Sequence, residues 1–292
     1  SIPPREETFG STEEIIGNWF EKTKKRDKVI LATKVSGPMR SYVRGGGNQF
    51  GIKNMSEAIE GSLKRLKTDY IDLYQLHWPE RSTNFFGIRD YKHNYKDKWN
   101  DNFNEILNSL DGFVKQGKIR NIGISNEKSW GAMRYIEESN KCNLPRVVTI
   151  QNAYSLLNRP FEGDLAEISI REGLGLLAYS PLGFGVLTGK YIKGTASDNA
   201  RLKLFPRFSR YSSTEATNAT KEYLKIALDN QLSLTQMSLA FVNQQPFVTS
   251  NIIGATNLKQ LEENISSIEV NLSEEVLSKI NEVHSKIPNP SP

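Results

Sequence analysis

Short apolar runs of strand length alternate along this chain with longer stretches whose apolar residues recur on one helical face. Strands joined through helices pair in parallel, because a parallel connection needs a crossover of about a dozen residues or more. The alternation therefore restricts the chain to α/β architectures with a mainly parallel sheet. The strands are expected at Val29 to Thr33, Tyr70 to Leu76, Ile119 to Ile124, Val147 to Ile150, Leu174 to Ala178 and Asn251 to Ile253. The helices between and after them are expected to start from a Ser11 cap, with Ile15, Ile16, Trp19 and Phe20 on one face. They continue at Met55 to Leu66, Phe103 to Gln116, Trp130 to Ser139, Phe161 to Arg171, Glu215 to Asn230, Leu234 to Asn243, Leu258 to Ile265 and Glu274 to His284. No linker divides the chain, so one domain spanning residues 1–292 is expected.

The unusual polar residues fall directly after the apolar runs: Lys34, His77, Ser125, Asn126, Gln151, Tyr179, Ser180 and Gly254. In an α/β barrel the active site lies at the carboxyl ends of the strands, so this repetition marks a site more strongly than any one residue does. A lone lysine at a strand end is otherwise a solvent-reaching terminus, and a lone histidine a satisfied interior one. The run Leu174 to Lys190 adds a binding loop to a buried strand. Its glycines at 183, 185 and 189 let backbone approach a ligand, Tyr179 offers a flat face, and Lys190 a charge suited to phosphate. The long stretches Trp78 to Trp99 and Tyr191 to Ser213 fit functional loops.

Other features exclude alternatives. Gly112 to Lys118 has the G-x-x-x-x-G-K spacing, but Ile119 stands where a P-loop needs Ser or Thr, and a strand follows rather than precedes it. No G-x-G-x-x-G is present, which weakens a Rossmann assignment. A single cysteine, Cys142, and three scattered histidines argue against a disulfide framework or a metal site and suit a reducing cytoplasm. No apolar run is long enough to span a bilayer, and Ser1 to Thr8 shows no secretory signal. The net charge of +5 is dispersed among acidic residues, which argues against nucleic acid. Paired carboxylates at strand ends, which a barrel hydrolase would use, are missing as well. The proline-rich tail Pro288 to Pro292 is expected to lie on the surface.

Several spaced segments together resemble the aldo-keto reductase superfamily, and most closely its branch containing the bacterial Tas proteins and the voltage-gated potassium channel β subunits. They are Ala32-Thr33-Lys34, Asp69 to Pro79, Gly117 to Asn126, Tyr179 to Lys190, and Gly254-Ala255-Thr256 with Gln260, Glu263 and Asn264. The resemblance implies a (β/α)8 TIM barrel, here lacking its first two strands, that binds NADPH and reduces the carbonyl of a small aldehyde or ketone. It implies that Lys34 and His77 are catalytic, that Ser125, Asn126 and Gln151 hold the nicotinamide carboxamide, and that Tyr179 stacks on the ring. Ser180, Pro181, Leu182, Gly183 and Lys190 would follow the pyrophosphate, with Arg210 at the adenosine end. Gly254, Thr256, Gln260, Glu263 and Asn264 would close on the 2′-phosphate and adenine. The family's D-x-A-x-x-Y motif, whose tyrosine supplies a proton and whose aspartate holds the lysine, is not in the sequence. The resemblance places both upstream of Ser1. A non-enzymatic NADP(H)-sensing module of the channel β-subunit type is the alternative, disfavoured because binding alone has no need of both Lys34 and His77.

Overall fold

The structure, a computed structural model, describes residues 5–47, 49–206 and 208–292. Among them, six parallel strands alternate with helices and are hydrogen-bonded in the order β1-β2-β3-β4-β5-β6, an open series matching the barrel expected to lack two strands. The chain forms two compact units, one made of the segment up to Thr83 together with Lys92–Ile150, the other of Asn84–Tyr91 and Gln151–Pro292.

The first unit holds α1 (Ser11–Thr23), β1 (Ala32–Val35), α2 (Ile52–Leu66), β2 (Ile71–Leu76), α3 (Phe103–Lys115), β3 (Ile119–Ser125) and α4 (Ser129–Cys142), and it contains the start of β4 (Val147–Ala153). Strand β2 lies between β1 and β3, with Ala32 opposite Leu73 and Ile71 opposite Ile119. A central parallel strand is covered on both faces, and all six residues of β2 are accordingly buried, Asp72 and Gln75 included. Asp72 tolerates this because its carboxylate accepts from the Leu31 N–H at 3.0 Å and pairs with Arg26 and Arg120 at 2.8 Å each. Helix α3 buries Phe103, Ile106, Leu107, Leu110 and Phe113, a stripe at helical spacing. Helix α1 crosses α2 at Gly17, where a Cβ would overlap the Arg65 carbonyl and the Leu66 backbone.

The second unit contains the rest of β4, then α5 (Leu165–Glu172), β5 (Gly175–Tyr179), α6 (Arg201–Leu204), α7 (Thr214–Asp229), α8 (Leu234–Asn243), β6 (Val248–Asn251), α9 (Leu258–Ser266) and α10 (Glu274–Lys286). Ser213, Ser233, Asn257 and Ser273 cap α7, α8, α9 and α10 by accepting from the backbone N–H three residues on.

Some expectations shift. Ser11 does not cap α1 but is its first residue: the N-cap position is Gly10, with φ 83°, whose carbonyl accepts from the Glu14 N–H at 3.1 Å. The first strand begins later than its apolar run, since register with β2 starts at Ala32, leaving Ile30 84% exposed and Lys34 inside the strand. Gln151 likewise lies within β4. The expected helix from Phe161 starts instead at Leu165, after a 3-10 turn at Pro160–Glu162. The last strand lies three residues earlier than its apolar signal, paired to β5. The proline-rich tail is packed rather than superficial: Ser291 is fully buried, donating to the Leu157 carbonyl at 3.0 Å and accepting from Asn158 at 2.6 Å.

Candidate active site

In the first unit the site is built on adjacent strand ends. Lys34 pairs with Gln75, and His77 lies two residues beyond Gln75 in the same direction. Alternate residues of a strand share a face, so Lys34 and His77 face the same side of the sheet. The His77 N–H donates to the Val35 carbonyl at 3.1 Å, which fixes the two strand ends against each other. Asn126, at the end of β3, takes a left-handed backbone with φ 54° and turns its amide inward. That amide donates to the His77 carbonyl at 2.9 Å and to Ser125 Oγ at 3.1 Å, and Ser125 and Asn126 are both buried.

The electrostatics of this corner are unusual. Both Lys34 and His77 retain some accessible surface, yet the protein around them desolvates their charged forms. Burial pushes the Lys34 ammonium down to about 8, and among the described residues it makes no hydrogen bond or ion pair. Burial, reinforced by the Lys34 charge, holds His77 down to about 3, so its imidazole is neutral at physiological pH.

In the second unit Tyr179 is the last residue of β5, and its carbonyl accepts from the Tyr154 N–H at 3.3 Å. Burial raises its hydroxyl against the opposing pull of Arg210, which hydrogen-bonds to it. Beyond it the backbone is left-handed at Ser180 (φ 56°), Gly183 (φ 51°), Phe184 (φ 55°) and Gly185 (φ 88°). A phenylalanine held there costs about 1–2 kcal/mol, and such strain concentrates at ligand-holding segments. The Lys190 ammonium lies close over Gly185, where a Cβ would come within 2.8 Å of Nζ. Arg210 also donates from Nε to the Pro292 carbonyl at 2.7 Å.

Further along, the Thr256 N–H and hydroxyl both donate to Gln260 Oε1 at 3.0 Å, and Asn264 donates to the Gly254 carbonyl at 3.2 Å. Glu263 accepts from Ser233 at 2.7 Å, which ties α9 to the start of α8. Helix α9 is thus tied to the loop before it through Gln260 and Asn264 and to α8 through Glu263, and a helix N-terminus is a natural seat for phosphate.

A sequence model of the Aldo/keto reductase family matches residues 7–285. The chain belongs to that family. It is 49% identical over 298 residues to "Protein tas" of Escherichia coli (strain K12), an alignment covering 100% of this chain and 84% of that protein. An "Aldo-keto reductase" of Babesia bovis is 35% identical over 279 residues, covering 90% of this chain and 98% of that one. The "NADH-specific methylglyoxal reductase" of Escherichia coli (strain K12) is 28% identical over 278 residues, with 91% and 77% covered.

As an aldo/keto reductase family member the chain is an oxidoreductase, and the family generally uses NAD(P)H and small carbonyl substrates. Among the described residues no helix is long and apolar enough to cross a membrane. Lys34, His77, Ser125 and Asn126 are brought together in the first unit. Gln151, Tyr179, Ser180, Pro181, Leu182, Gly183, Lys190, Arg210, Gly254, Thr256, Gln260, Glu263 and Asn264 belong to the second. Sequence reasoning passed over Glu80, Arg81 and Glu127, whose side chains tie the site's loops together. Arg81 and Glu127 are 46 residues apart, so no local spacing advertises them. A charged pair directly after Trp78-Pro79, and an acid directly after Ser125-Asn126, were the available signals.

Proposed function

We propose that the protein is an NADPH-dependent reductase of aldehyde or ketone carbonyls, one domain working through Lys34 and His77. The observation that carries this reading is the placement of a partly desolvated lysine and a neutral histidine on one sheet face at neighbouring strand ends. Bound NADPH supplies the hydride. Neutral His77 can donate a hydrogen bond to the carbonyl oxygen without giving up its proton, which orients the carbonyl and steadies charge growing on oxygen. The Lys34 cation favours release of a proton by its neighbour. For that donor the resemblance implies a tyrosine, whose ordinary value of about 10 is too high for easy transfer at neutral pH.

The cofactor fits residues of this chain. Ser125 and Asn126 present buried polar groups suited to a carboxamide, and Tyr179 presents a ring for stacking. The turn from Ser180 to Gly185, left-handed at Ser180, Gly183, Phe184 and Gly185, opens backbone toward a pyrophosphate beside Lys190. Thr256, Gln260 and the Asn257-capped turn of α9 are the chain's candidates for the 2′-phosphate that separates NADPH from NADH. A cytoplasmic setting goes with this reading.

Absorbance at the NADPH band, followed against a panel of aldehydes and ketones, tests the reading. Carbonyl-dependent oxidation of NADPH is expected, with kcat/KM falling more than about 100-fold in Lys34→Met while NADPH still binds. Undiminished turnover in Lys34→Met would refute the role given to that residue. A preference for NADH over NADPH would refute the cofactor assignment.

A further inference from the structure

Glu80 and Arg81 stand three and four residues past His77 and have no part in the chemistry described above. The Arg81 guanidinium meets the Glu127 carboxylate fork to fork, Nη1 donating to Oε2 at 3.0 Å and Nη2 donating to Oε1. The two side chains are 10% and 3% exposed, and Glu127 directly follows Asn126. The guanidinium also lies 5.0 Å from the ring centre of Trp130 and 6.0 Å from that of Phe103. Space for the pair depends on Gly131, where a Cβ would overlap both Glu127 Oε1 and Arg81 Nη2. Glu80 works outward in the other direction. Its Oε1 accepts from the Gln49 and Phe50 N–H groups at 2.9 and 3.0 Å, and its Oε2 accepts from Asn102 at 2.9 Å. Trp78 adds a bond to the Pro38 carbonyl at 3.1 Å. The segment Trp78 to Arg81 therefore fastens the loops that follow β1 and β3 to the loop that follows β2.

Stability alone gives a weak reason for such a pair. Taking two charges out of water consumes most of their attraction, and apolar residues of similar volume often serve the fold as well. What apolar residues do not provide is a bidentate, planar contact that fixes direction as well as distance. We propose that the buried Arg81–Glu127 pair is a positioning device that locks the loop behind His77 to the loop behind Asn126, holding both in the mutual placement that cofactor binding and carbonyl reduction require. The proposal rests on the reductase reading, and its own readout is the Asn126 amide bond to the His77 carbonyl.

Three variants test it. Arg81→Met removes the guanidinium from a buried carboxylate that keeps the Lys128 N–H as a donor at 2.7 Å, and it is expected to unfold more readily than wild type, so the decisive variant is the double change Arg81→Met with Glu127→Leu. Arg81→Lys keeps the charge and loses the fork. Thermal unfolding, kcat and KM with NADPH, NADPH affinity by fluorescence, and exchange protection of the Asn126 side-chain amide by NMR are measured on each. The double variant is expected to stay folded near the wild-type midpoint, to lose Asn126 protection, and to fall between about 10-fold and 100-fold in kcat, as small misplacements of reacting groups do. Arg81→Lys is expected to recover part of both losses. A folded double variant with wild-type kcat, KM and Asn126 protection overturns the proposal. Wild-type protein that neither binds NADPH nor reduces a carbonyl defeats the reductase reading instead, and the Asn126 protection then decides the positioning role by itself.

Discussion

The side-chain amide of Asn126 donates to the backbone carbonyl of His77 at 2.9 Å, so the residue expected to hold the nicotinamide also clamps the strand end that carries the histidine. Two costs are combined in the residue, because Asn126 has φ 54°. Asn126→Ala loses the bond, worth about 1 kcal/mol, and incurs a left-handed penalty of about 1–2 kcal/mol more. Asn126→Gly loses the bond without that penalty. Urea unfolding is expected to rank stability as wild type above Gly above Ala, whereas NADPH affinity is expected to fall by a similar factor in both. Equal stability of the two variants would show that the backbone conformation is not a constraint.

Titration of the same corner has a definite sign. His77 is held down to about 3 from its usual 6.5, so between those values the unfolded chain binds the extra proton. The contribution of neutral His77 is present above pH 6.5 and is lost as pH falls toward 3. His77→Gln is expected to flatten stability in that window, measured by denaturant midpoints from pH 7 to pH 4.

Lys34 is lowered from 10.5 to about 8, so protons again favour the unfolded chain in the window between them. Stability from this group rises as pH goes from 8 to 10.5, and below 8 the desolvation cost is borne in full. Lys34→Met is therefore expected to be more stable than wild type at pH 7 while losing reductase turnover, a trade between stability and activity typical of active sites. Destabilisation by Lys34→Met at pH 7 would mean that the ammonium has a strong partner, as the aspartate that the resemblance places upstream of Ser1 would be.

These residues also show what could be read in the sequence and what could not. Periodicity placed α2, α3 and α8 within a few residues, because each buries a stripe whose spacing is written directly into the chain. Lys34 and His77 stood out in the sequence because each follows a strand-length apolar run, a local pattern, although β1 itself starts later and takes in Lys34. The boundaries of β1 and β6 were not, since both are set by hydrogen-bond register with a neighbour, and Ile30 therefore sits outside the sheet despite its apolar side chain. Ser11 had the right spacing to Glu14 for a cap, but the helix begins one residue earlier, with the Gly10 carbonyl accepting from the Glu14 N–H, so Ser11 already lies in its first turn. Arg81 and Glu127 meet only after folding, which no pattern within a single element encodes.

Helix α1 depends on one missing side chain. A Cβ at Gly17 would strike the Arg65 carbonyl and the Leu66 backbone of α2, and backbone yields far less readily than the end of a flexible side chain. Gly17→Ala would ordinarily favour a helix by about 1 kcal/mol. Here it is expected to destabilise by about 1–3 kcal/mol, as overpacking does, with a lower thermal midpoint and faster hydrogen exchange in α1. A neutral or stabilising result would show that α1 can lift off α2 at little cost.

Asp72 gives the sharpest test of the sheet itself. Burial opposes its ionisation, but the Leu31 N–H and the Arg26 and Arg120 guanidinium groups outweigh it and hold the carboxyl below its usual range. Both guanidinium groups also lie 3.9 Å from the ring centre of Tyr70, so the aromatic ring is sandwiched between the two cations that Asp72 anchors. Because Arg120 is 57% exposed it can be hydrated when the carboxylate is removed, whereas Arg26 at 14% is less free to do so. Asp72→Asn is expected to cost about 1.5–3 kcal/mol, the range for hydrogen bonds to a charged group. The contribution is present above the unfolded carboxyl value and disappears as pH falls through the lower folded one, so wild type and variant should converge in acid. Urea unfolding of both proteins at pH 7 and pH 3 measures the difference. A gap that is unchanged at pH 3 would mean that Asp72 acts through packing and not through its charge.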